Sequence, residues 1–526
     1  MLEKRIKGQV LIIGSGLAGG TAALTLADAG VEVILVSAGK DLDDGNSALA
    51  QGGIVYQGDQ DDAKLLENDI LTAGWRHNYL RAVRFLALKG PEAVRDLLIN
   101  KLHVPFETEN NHFKMTREGG HTVSRVLYCA DFTGRAIMDQ LTRALKKHPN
   151  INCIADYTAI DLLTTHHHSR EMDFRYNIKN QCAGAYLLNN QDNSVHTVIA
   201  DYTVLATGGL GQIFLHTTNS PVSIGSGLAM AHRAGAKIMN TEYIQFHPTA
   251  LFHRSNRKFL ISEAVRGEGA KLINSRGQAF MAKYDTRADL APRDIVTRSI
   301  IEEMLYSGED CVFLDAASHV QQDLRLRFPT IFDKCMENGV DITKQPIPVV
   351  PAAHYFCGGI LVDLKGRSTI ERLYAAGECS CTGIHGANRL ASTSLLEALV
   401  WGSNIGKNIA RQFNSNSKIS KRLQNSIPEW EFLGQEHNDD PALIAQDWAT
   451  IQNTMWNYVG ISRTTPRLRR AFEDLRNLNK RQHDFYRETP ISKSLINLFH
   501  GCQAAYLVTT AALRNERSKG CHFRNK

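Results

Sequence analysis

Val10-Leu11-Ile12-Ile13-Gly14-Ser15-Gly16-Leu17-Ala18-Gly19 is the stretch on which the fold turns. Four apolar residues make a short strand of the buried type and run straight into G-x-G-x-x-G. An Ala/Leu-rich helical stretch follows to about Gly30, and residues 31–36 supply a second apolar strand. Strand, glycine turn, helix and strand form a βαβ unit, in which the glycines let backbone N–H groups at a helix N-terminus approach a pyrophosphate. The glycine motif alone is a weak signal, but with a strand on either side it is a strong one. The second strand ends at Ser37 and not at the acidic residue that usually meets an adenosine ribose. A hydroxyl can still bond a ribose, so this departure counts against a generic NAD site more than against a dinucleotide.

Working outward, residues 202–206 read as a strand that breaks at Thr207-Gly208-Gly209, and residues 372–376 as one that breaks at Gly377-Glu378. Any one break could be a plain turn. Three of them in one long α/β chain point to a single elongated cofactor touched at several places. A second dinucleotide would need a second G-x-G-x-x-G, and the chain has none. Residues 241–350 form a long insertion between the second and third breaks, expected to be a lid or cap. Beyond residue 410 the pattern turns polar and helical: 414–418 reads as a linker, and Trp448 to Leu478 and Ser492 to Leu513 carry helical spacing. The run His166-His167-His168 lies in a polar connection and reads as solvated, not as a metal site.

Composition sets the outer limits. With 526 residues, of which 43% are hydrophobic, the chain can bury large cores in two or three domains. Its 60 Lys and Arg against 54 Asp and Glu give +6, spread along the chain apart from a locally basic last forty residues. That balance calls for neither nucleic acid nor membrane, and it suits a small anionic substrate. The ten cysteines show no C-x-x-C pair, so reduced thiols in a cytoplasmic protein, with no metal, are expected. Lys4, Arg5 and Lys7 before Val10 imitate a signal peptide, but the glycine cluster interrupts the apolar run at once. No stretch approaches the ~20 apolar residues of a membrane span, so a soluble protein is expected.

Ala50-Gln51-Gly52-Gly53, Gln245-Phe246-His247-Pro248-Thr249, Ser262-Glu263-Ala264-Val265-Arg266-Gly267-Glu268-Gly269 and His385-Gly386-Ala387-Asn388-Arg389 resemble the succinate dehydrogenase and fumarate reductase flavoproteins. The resemblance spans most of residues 8–410. Within that superfamily, Thr116-Arg117-Glu118-Gly119-Gly120-His121, Leu290-Ala291-Pro292-Arg293-Asp294, Pro351-Ala352-Ala353-His354-Tyr355 and Ala391-Ser392-Thr393-Ser394-Leu395-Leu396-Glu397 are similar to the L-aspartate oxidase family. So are Arg463-Thr464-Thr465 and Arg517-Ser518-Lys519-Gly520-Cys521-His522 near the C-terminus. The implied fold is α/β: a Rossmann-like FAD-binding domain (1–240 plus 351–412), interrupted by an α+β capping domain (241–350) and followed by a C-terminal helical domain (425–526). Respiratory members commonly link FAD to a histidine five residues before the Gln of A-Q-G-G. Here Asn46 takes that place, which implies noncovalent FAD. Ala38, Ser226 and Ser262 depart from the family's usual lysine, aspartate and threonine.

The resemblance, with the glycine breaks, assigns FAD to Gly14, Ser15, Gly16, Leu17, Ala18, Gly19, Ser37, Asn46, Ser47, Ala50, Gln51, Gly52, Gly53, Ala206, Thr207, Gly208, Glu378, Ser394 and Leu395. Oxidising a dicarboxylate by hydride transfer needs both anionic ends clamped and the C–H bond aimed at the flavin. The resemblance places His247, His354 and Arg389 around the substrate, Arg389 being the natural bidentate carboxylate partner, with Ser262 beside them. Aspartate differs from succinate by an ammonium group, for which Glu118 is the candidate anion; the bland alternative is a solvated carboxylate beside Arg117. Arg293 is implied as the acid/base group, with Glu263 and Arg266 relaying protons to it. A guanidinium is a poor base, so electrostatic stabilisation is the other role open to Arg293. Glu263 and Arg266, three apart, could equally be an ordinary helix ion pair.

The implied activity is oxidation of L-aspartate to iminoaspartate, with oxygen or fumarate as acceptor. It would be the first step toward quinolinate and NAD, with a functional coupling to quinolinate synthase. The alternative is a succinate dehydrogenase or fumarate reductase flavoprotein subunit, against which Asn46 and Glu118 argue. A flavin scaffold without turnover is a third reading. A pyridine-nucleotide disulfide reductase lacks support, having neither its second glycine motif nor its cysteine pair here.

Overall fold

Residues Arg5–Ile13 form strand β1, whose last four side chains are buried. The computed structural model describes residues 4–253, 258–413, 418–431 and 440–525. Apart from Lys418, the expected linker lies outside them. β1 pairs in parallel with β2 (Val33–Val36), which pairs in parallel with β3 (Ile151–Ile154). Strands β4 (Tyr157–Thr164), β5 (Cys182–Asn189) and β6 (Val195–Leu205) complete a sheet of order β3-β2-β1-β6-β5-β4, and Leu373–Ala375 adds to β6. β6 is parallel to β1 and to Leu373–Ala375 but antiparallel to β5.

The register decides the use of this sheet. Ile13 lies opposite Val36 on one side and Leu205 on the other, and Leu205 lies opposite Ala375. The carboxyl ends of four parallel strands therefore share one edge, which brings Gly14, Ser37, Ala206 and Ala376 side by side. That edge is where open α/β sheets bind ligands. Helix α1 (Leu17–Asp28) follows the glycine turn and is buried on nearly every side, because its small residues let a second helix approach its backbone. A Cβ on Gly402, in the helix Thr393–Phe413, would stand 2.5 Å from the carbonyl of Ala18.

A second, antiparallel sheet is built from β7 (Ile244–Leu251), β8 (Lys271–Ile273), β9 (Val312–Asp315) and β10 (Ile347–Phe356), in the order β7-β10-β9-β8. Leu251, Leu272, Val296, Leu314, Phe328 and Val349 share its own hydrophobic core. Near the C-terminus, Pro441–Val459, Thr465–Glu488 and Lys493–Arg514 are helices. The helical run expected over Trp448 to Leu478 is thus two helices, broken at residues 460–464, where the Thr464 side chain accepts the Arg467 N–H as an N-cap. These helices share a core with Phe214, Phe246 and Phe356, so they brace the base of the second sheet. The second βαβ strand begins at Val33, two residues later than its apolar run. His166 to His168 form one short helical turn, with His168 half-buried against Tyr186. Among the described residues no helix is long and apolar enough to cross a membrane, and no group of His, Cys, Asp and Glu could hold a metal.

Candidate active site

A cavity of about 650 Å³ runs from the shared strand edge to the cleft between the two sheets. At its dinucleotide end Gly14 has φ +111°, and a Cβ there would lie 2.1 Å from the Ala206 carbonyl, so the turn after β1 requires glycine. The Leu17 N–H donates to Ser47 Oγ at 3.1 Å, tying the start of α1 to the Asn46–Leu49 turn. Asn46 donates to Glu378 Oε2 at 3.2 Å and accepts the Ser220 N–H at 2.7 Å. Its amide thus bridges the turn at Ser220 and the third glycine segment and offers no imidazole for a covalent flavin link. Glu378 also accepts the Phe356 N–H at 2.9 Å, and burial pushes its carboxyl up to about 7. Backbone at an N-terminal helix turn and a long enclosed groove fit a dinucleotide such as FAD.

Of the residues expected to touch FAD, all but Gly19 line this cavity. Gly19 faces away and packs on the Gly14 carbonyl, 1.9 Å from where a Cβ would stand. Its smallness serves helix–strand packing, which is the part the last glycine of such a motif plays.

The other end of the cavity collects charge. Arg293, the first residue of a helix reaching Ser307, donates from Nε to Glu263 Oε2 at 2.5 Å. Arg266 sits behind Glu263, fully buried and 3.9 Å from its Oε1, and does not line the cavity. The expected relay residues therefore form one buried row, Arg266, Glu263, Arg293, with only the last two at the wall. Burial raises the Glu263 carboxyl, but Arg293 and Arg266 outweigh it and bring it down to about 2. Arg389 donates to Ser394 Oγ at 3.2 Å and stands 4.5 Å over the Tyr355 ring. Arg389 Nε and Arg293 Nη1 are buried with no hydrogen-bond partner, and no ion pair to Arg389 is found among the described residues. Buried guanidinium protons without acceptors cost free energy, which an anion entering the cavity would recover.

His247 and His354 stand with ring centroids 5.2 Å apart. Burial, reinforced by Arg293 beside His247 and by Arg389 beside His354, holds both imidazoles well below their ordinary pKa. Both are neutral at neutral pH. His354 Nδ1 is 2.9 Å from Thr218 Oγ1, and His247 Nδ1 is 3.2 Å from both the N and the O of Thr249. Each ring is thus anchored by Nδ1.

Glu118 is not a solvated neighbour of Arg117. Its Oε2 accepts the Ser392 hydroxyl at 2.5 Å, and its Oε1 would lie 2.1 Å from a Cβ on Gly52. Gly119 admits Glu263 in the same manner, at 2.2 Å. Two carboxylates thus face one cavity in different surroundings. Glu118 is raised, by burial first, with Ser392 and Arg293 opposing and Glu263 adding to the rise.

Several wall residues escaped the sequence reading. Thr218, Asn219 and Ser220 form a polar turn before Pro221, a cluster whose composition signals a loop but not a ligand. Ser392 holds φ +56°, a left-handed conformation uncommon for a side-chain-bearing residue, and nothing in its local sequence announces that. Tyr355 stood in a quoted motif without a role. Its hydroxyl donates to Glu397 Oε2 at 2.9 Å and lies 3.0 Å from His385 Nε2. Tyr355→Phe keeps the ring beneath Arg389 and loses about 1.5–3 kcal/mol of stability for a buried hydrogen bond to a charged group, measured by denaturant unfolding. Tyr355→Ala also removes the cation–π partner and raises the substrate KM, about fivefold at ~1 kcal/mol.

The fold and this site define a flavoprotein of the succinate dehydrogenase and fumarate reductase superfamily. Residues 9–395 match the family model described as FAD binding domain, and residues 448–526 the one described as fumarate reductase flavoprotein C-term. FAD is its cofactor. The chain belongs to the L-aspartate oxidase family. It is 42% identical to L-aspartate oxidase 1 of Ralstonia nicotianae, over 98% of this chain and 94% of that one. Identity to the L-aspartate oxidase of Pseudomonas aeruginosa is 38%, over 99% and 96%. Among solved structures, Escherichia coli quinol fumarate reductase superposes with TM-score 0.89 at 25% identity, covering 100% of this chain and 92% of that one. Mycobacterium smegmatis Sdh1 follows at 0.81 and 28%, covering 100% and 89%.

Proposed function

We propose that the protein oxidises L-aspartate to iminoaspartate, and that the residues at the cleft end of the cavity bind the substrate. The observation that carries this reading is the pairing of two buried guanidinium groups that each keep one nitrogen without an acceptor, Arg293 Nη1 and Arg389 Nε, with a carboxylate, Glu118, across one cavity. Two cationic donors suit two carboxylates, and one anion suits one ammonium. Bound FAD supplies the two-electron acceptor for the hydride from the substrate Cα.

The chain's own residues do the rest. Arg389 and Arg293 clamp the carboxylates, the neutral His247 and His354 donate hydrogen bonds without adding charge, and Ser262 offers a hydroxyl. Glu118 holds the ammonium end and takes the proton that the nitrogen sheds as the Cα hydride leaves and the C=N bond forms, a role that its carboxyl, raised by burial, suits. Glu263, kept ionised by its two arginines, pins Arg293 and conducts protons between it and Arg266. The domains are cofactor-binding 1–240 with 357–412, cap 241–356 and helical 425–526; the cap runs past the expected 350 because Ile347–Phe356 is one strand of its sheet. Oxygen or fumarate accepts the electrons, the family's kinship with fumarate reductases favouring fumarate. The hydrolysis-prone imine product favours functional coupling to quinolinate synthase, early in NAD synthesis, and the expected compartment is the cytoplasm.

Anaerobic mixing of the FAD-loaded protein with excess L-aspartate bleaches the flavin absorbance band, and succinate leaves it nearly unchanged. Bleaching by succinate alone would move the protein to the respiratory branch. Bleaching by neither would leave a silent flavin scaffold.

A further inference from the structure

We propose that the last helix of the chain, Lys493–Arg514, forms part of the cofactor site: Lys493, with Asn497 one turn further on, binds the ribose of the adenosine half of FAD. Three observations lead there. The first is what Ser37 does. In a βαβ unit the residue ending the second strand normally meets the adenosine ribose through a carboxylate. Here that residue is Ser37, and its hydroxyl donates to the Asp41 carbonyl at 2.9 Å and accepts the Gly39 N–H at 3.2 Å. Its one proton is committed inside its own loop, so the place is left without an acid and without a free donor.

The second is where Lys493 lies. It is about 455 positions from Ala38 in sequence, yet its ammonium donates to the Ala38 carbonyl at 3.2 Å. It also stands 3.6 Å from Asp156, at the turn between β3 and β4 whose backbone bonds to Ser37 and Gly39. The third is the cavity wall. Lys493 and Asn497 both line the cavity with Ser37, Ala38 and Tyr157. An i, i+4 pair shares one helix face. An ammonium has three donors and no acceptor, so after Ala38 and Asp156 one proton remains for a ribose oxygen, while the Asn497 amide can both accept and donate. The Asn497 amide oxygen can accept from a ribose hydroxyl as the missing carboxylate would have done, while the ammonium donates to a ribose oxygen. The consequence is that cofactor affinity depends on the docking of a helix outside the nucleotide-binding sheet.

The proposal rests on reading the glycine turn as the pyrophosphate seat, so the experiment includes a control for that orientation. Apoprotein is titrated with FAD by flavin fluorescence, and ADP, which carries only the adenosine half, is used as competitor. In the wild type ADP displaces FAD. Lys493→Met keeps the aliphatic stem and removes the charge. It is expected to weaken FAD and ADP by the same factor, about tenfold each, with the melting temperature of the apoprotein unchanged, and Lys493→Arg is expected to restore most of the loss. Asp156→Asn removes the ion-pair partner without altering the wall and should leave the FAD Kd as in the wild type. An unchanged FAD Kd in Lys493→Met would overturn the proposal, as would an equal loss in Asp156→Asn, since the lysine would then act only by docking the helix. Failure of ADP to compete in the wild type would show that the adenosine lies elsewhere and would take the proposal down with the orientation.

Discussion

Arg389→Leu abolishes turnover of L-aspartate while the protein still takes up FAD. The guanidinium is buried, has no carboxylate of its own among the described residues, and carries an unsatisfied Nε at the cavity wall. Its position is fixed from behind: Gln245 Nε2 donates to the Arg389 carbonyl at 2.8 Å and to Asn388 Oδ1 at 2.7 Å. Burial first, then the like charge of Arg293, weaken its hold on its proton, and a substrate carboxylate relieves both penalties. Leucine leaves that carboxylate desolvated and unpaired, at a cost of about 3–5 kcal/mol. In kcat/KM the loss is on the order of 10²- to 10⁴-fold, with misalignment of the Cα–H bond adding to it. Steady-state rates with L-aspartate, together with flavin content and melting temperature, check the outcome. An active Arg389→Leu protein would remove this residue from the clamp.

Glu118→Gln separates the amino-acid substrate from its desamino analogues. Glutamine preserves the shape over Gly52 and the contact with Ser392, but it cannot pair with an ammonium. Losing one charge-assisted contact costs about 1.5–3 kcal/mol, so kcat/KM for aspartate falls by roughly 10- to 150-fold while fumarate reduction is little affected. Equal losses on both would take Glu118 out of the ammonium role. Acidity gives an independent signature. Because burial raises the Glu118 carboxyl, it takes up a proton at a higher pH than an exposed glutamate does, and the charge needed for the ammonium disappears on the way down. The kcat/KM for aspartate therefore declines on its acid side starting above the ordinary carboxylate range. Glu263, at about 2, stays ionised throughout that decline. The decline reports the free enzyme and is missing from Glu118→Gln and from fumarate reduction.

Much of the fold was legible because it rests on local periodicity. The apolar runs and glycine breaks at 10–19, 202–209 and 372–378 name three strand ends, and a period-two or buried run is visible without knowing its partner. The residues proposed for the substrate end were legible for another reason: His247, Glu263, Arg293, His354 and Arg389 sit inside long ordered motifs that carry a family resemblance. Neither route could show which groups are left unpaired, and those groups are what support the proposed anion site in the cleft.

What the sequence determined by itself was the βαβ cofactor cradle, an asparagine at position 46 where a flavin-linking histidine would stand, and the kinds of side chain at the proposed substrate end. Only the tertiary structure decided that Glu118 faces the cavity instead of solvent, that Arg266 stands behind Glu263 and off the wall, that Gly19 packs instead of binding, and that Lys493 reaches the end of the second strand. The Glu263–Arg293, Glu118–Ser392 and Lys493–Ala38 contacts join residues 30, 274 and 455 positions apart. Burial and pairing across such distances are set by sheet register and helix docking, which no local pattern of residues encodes.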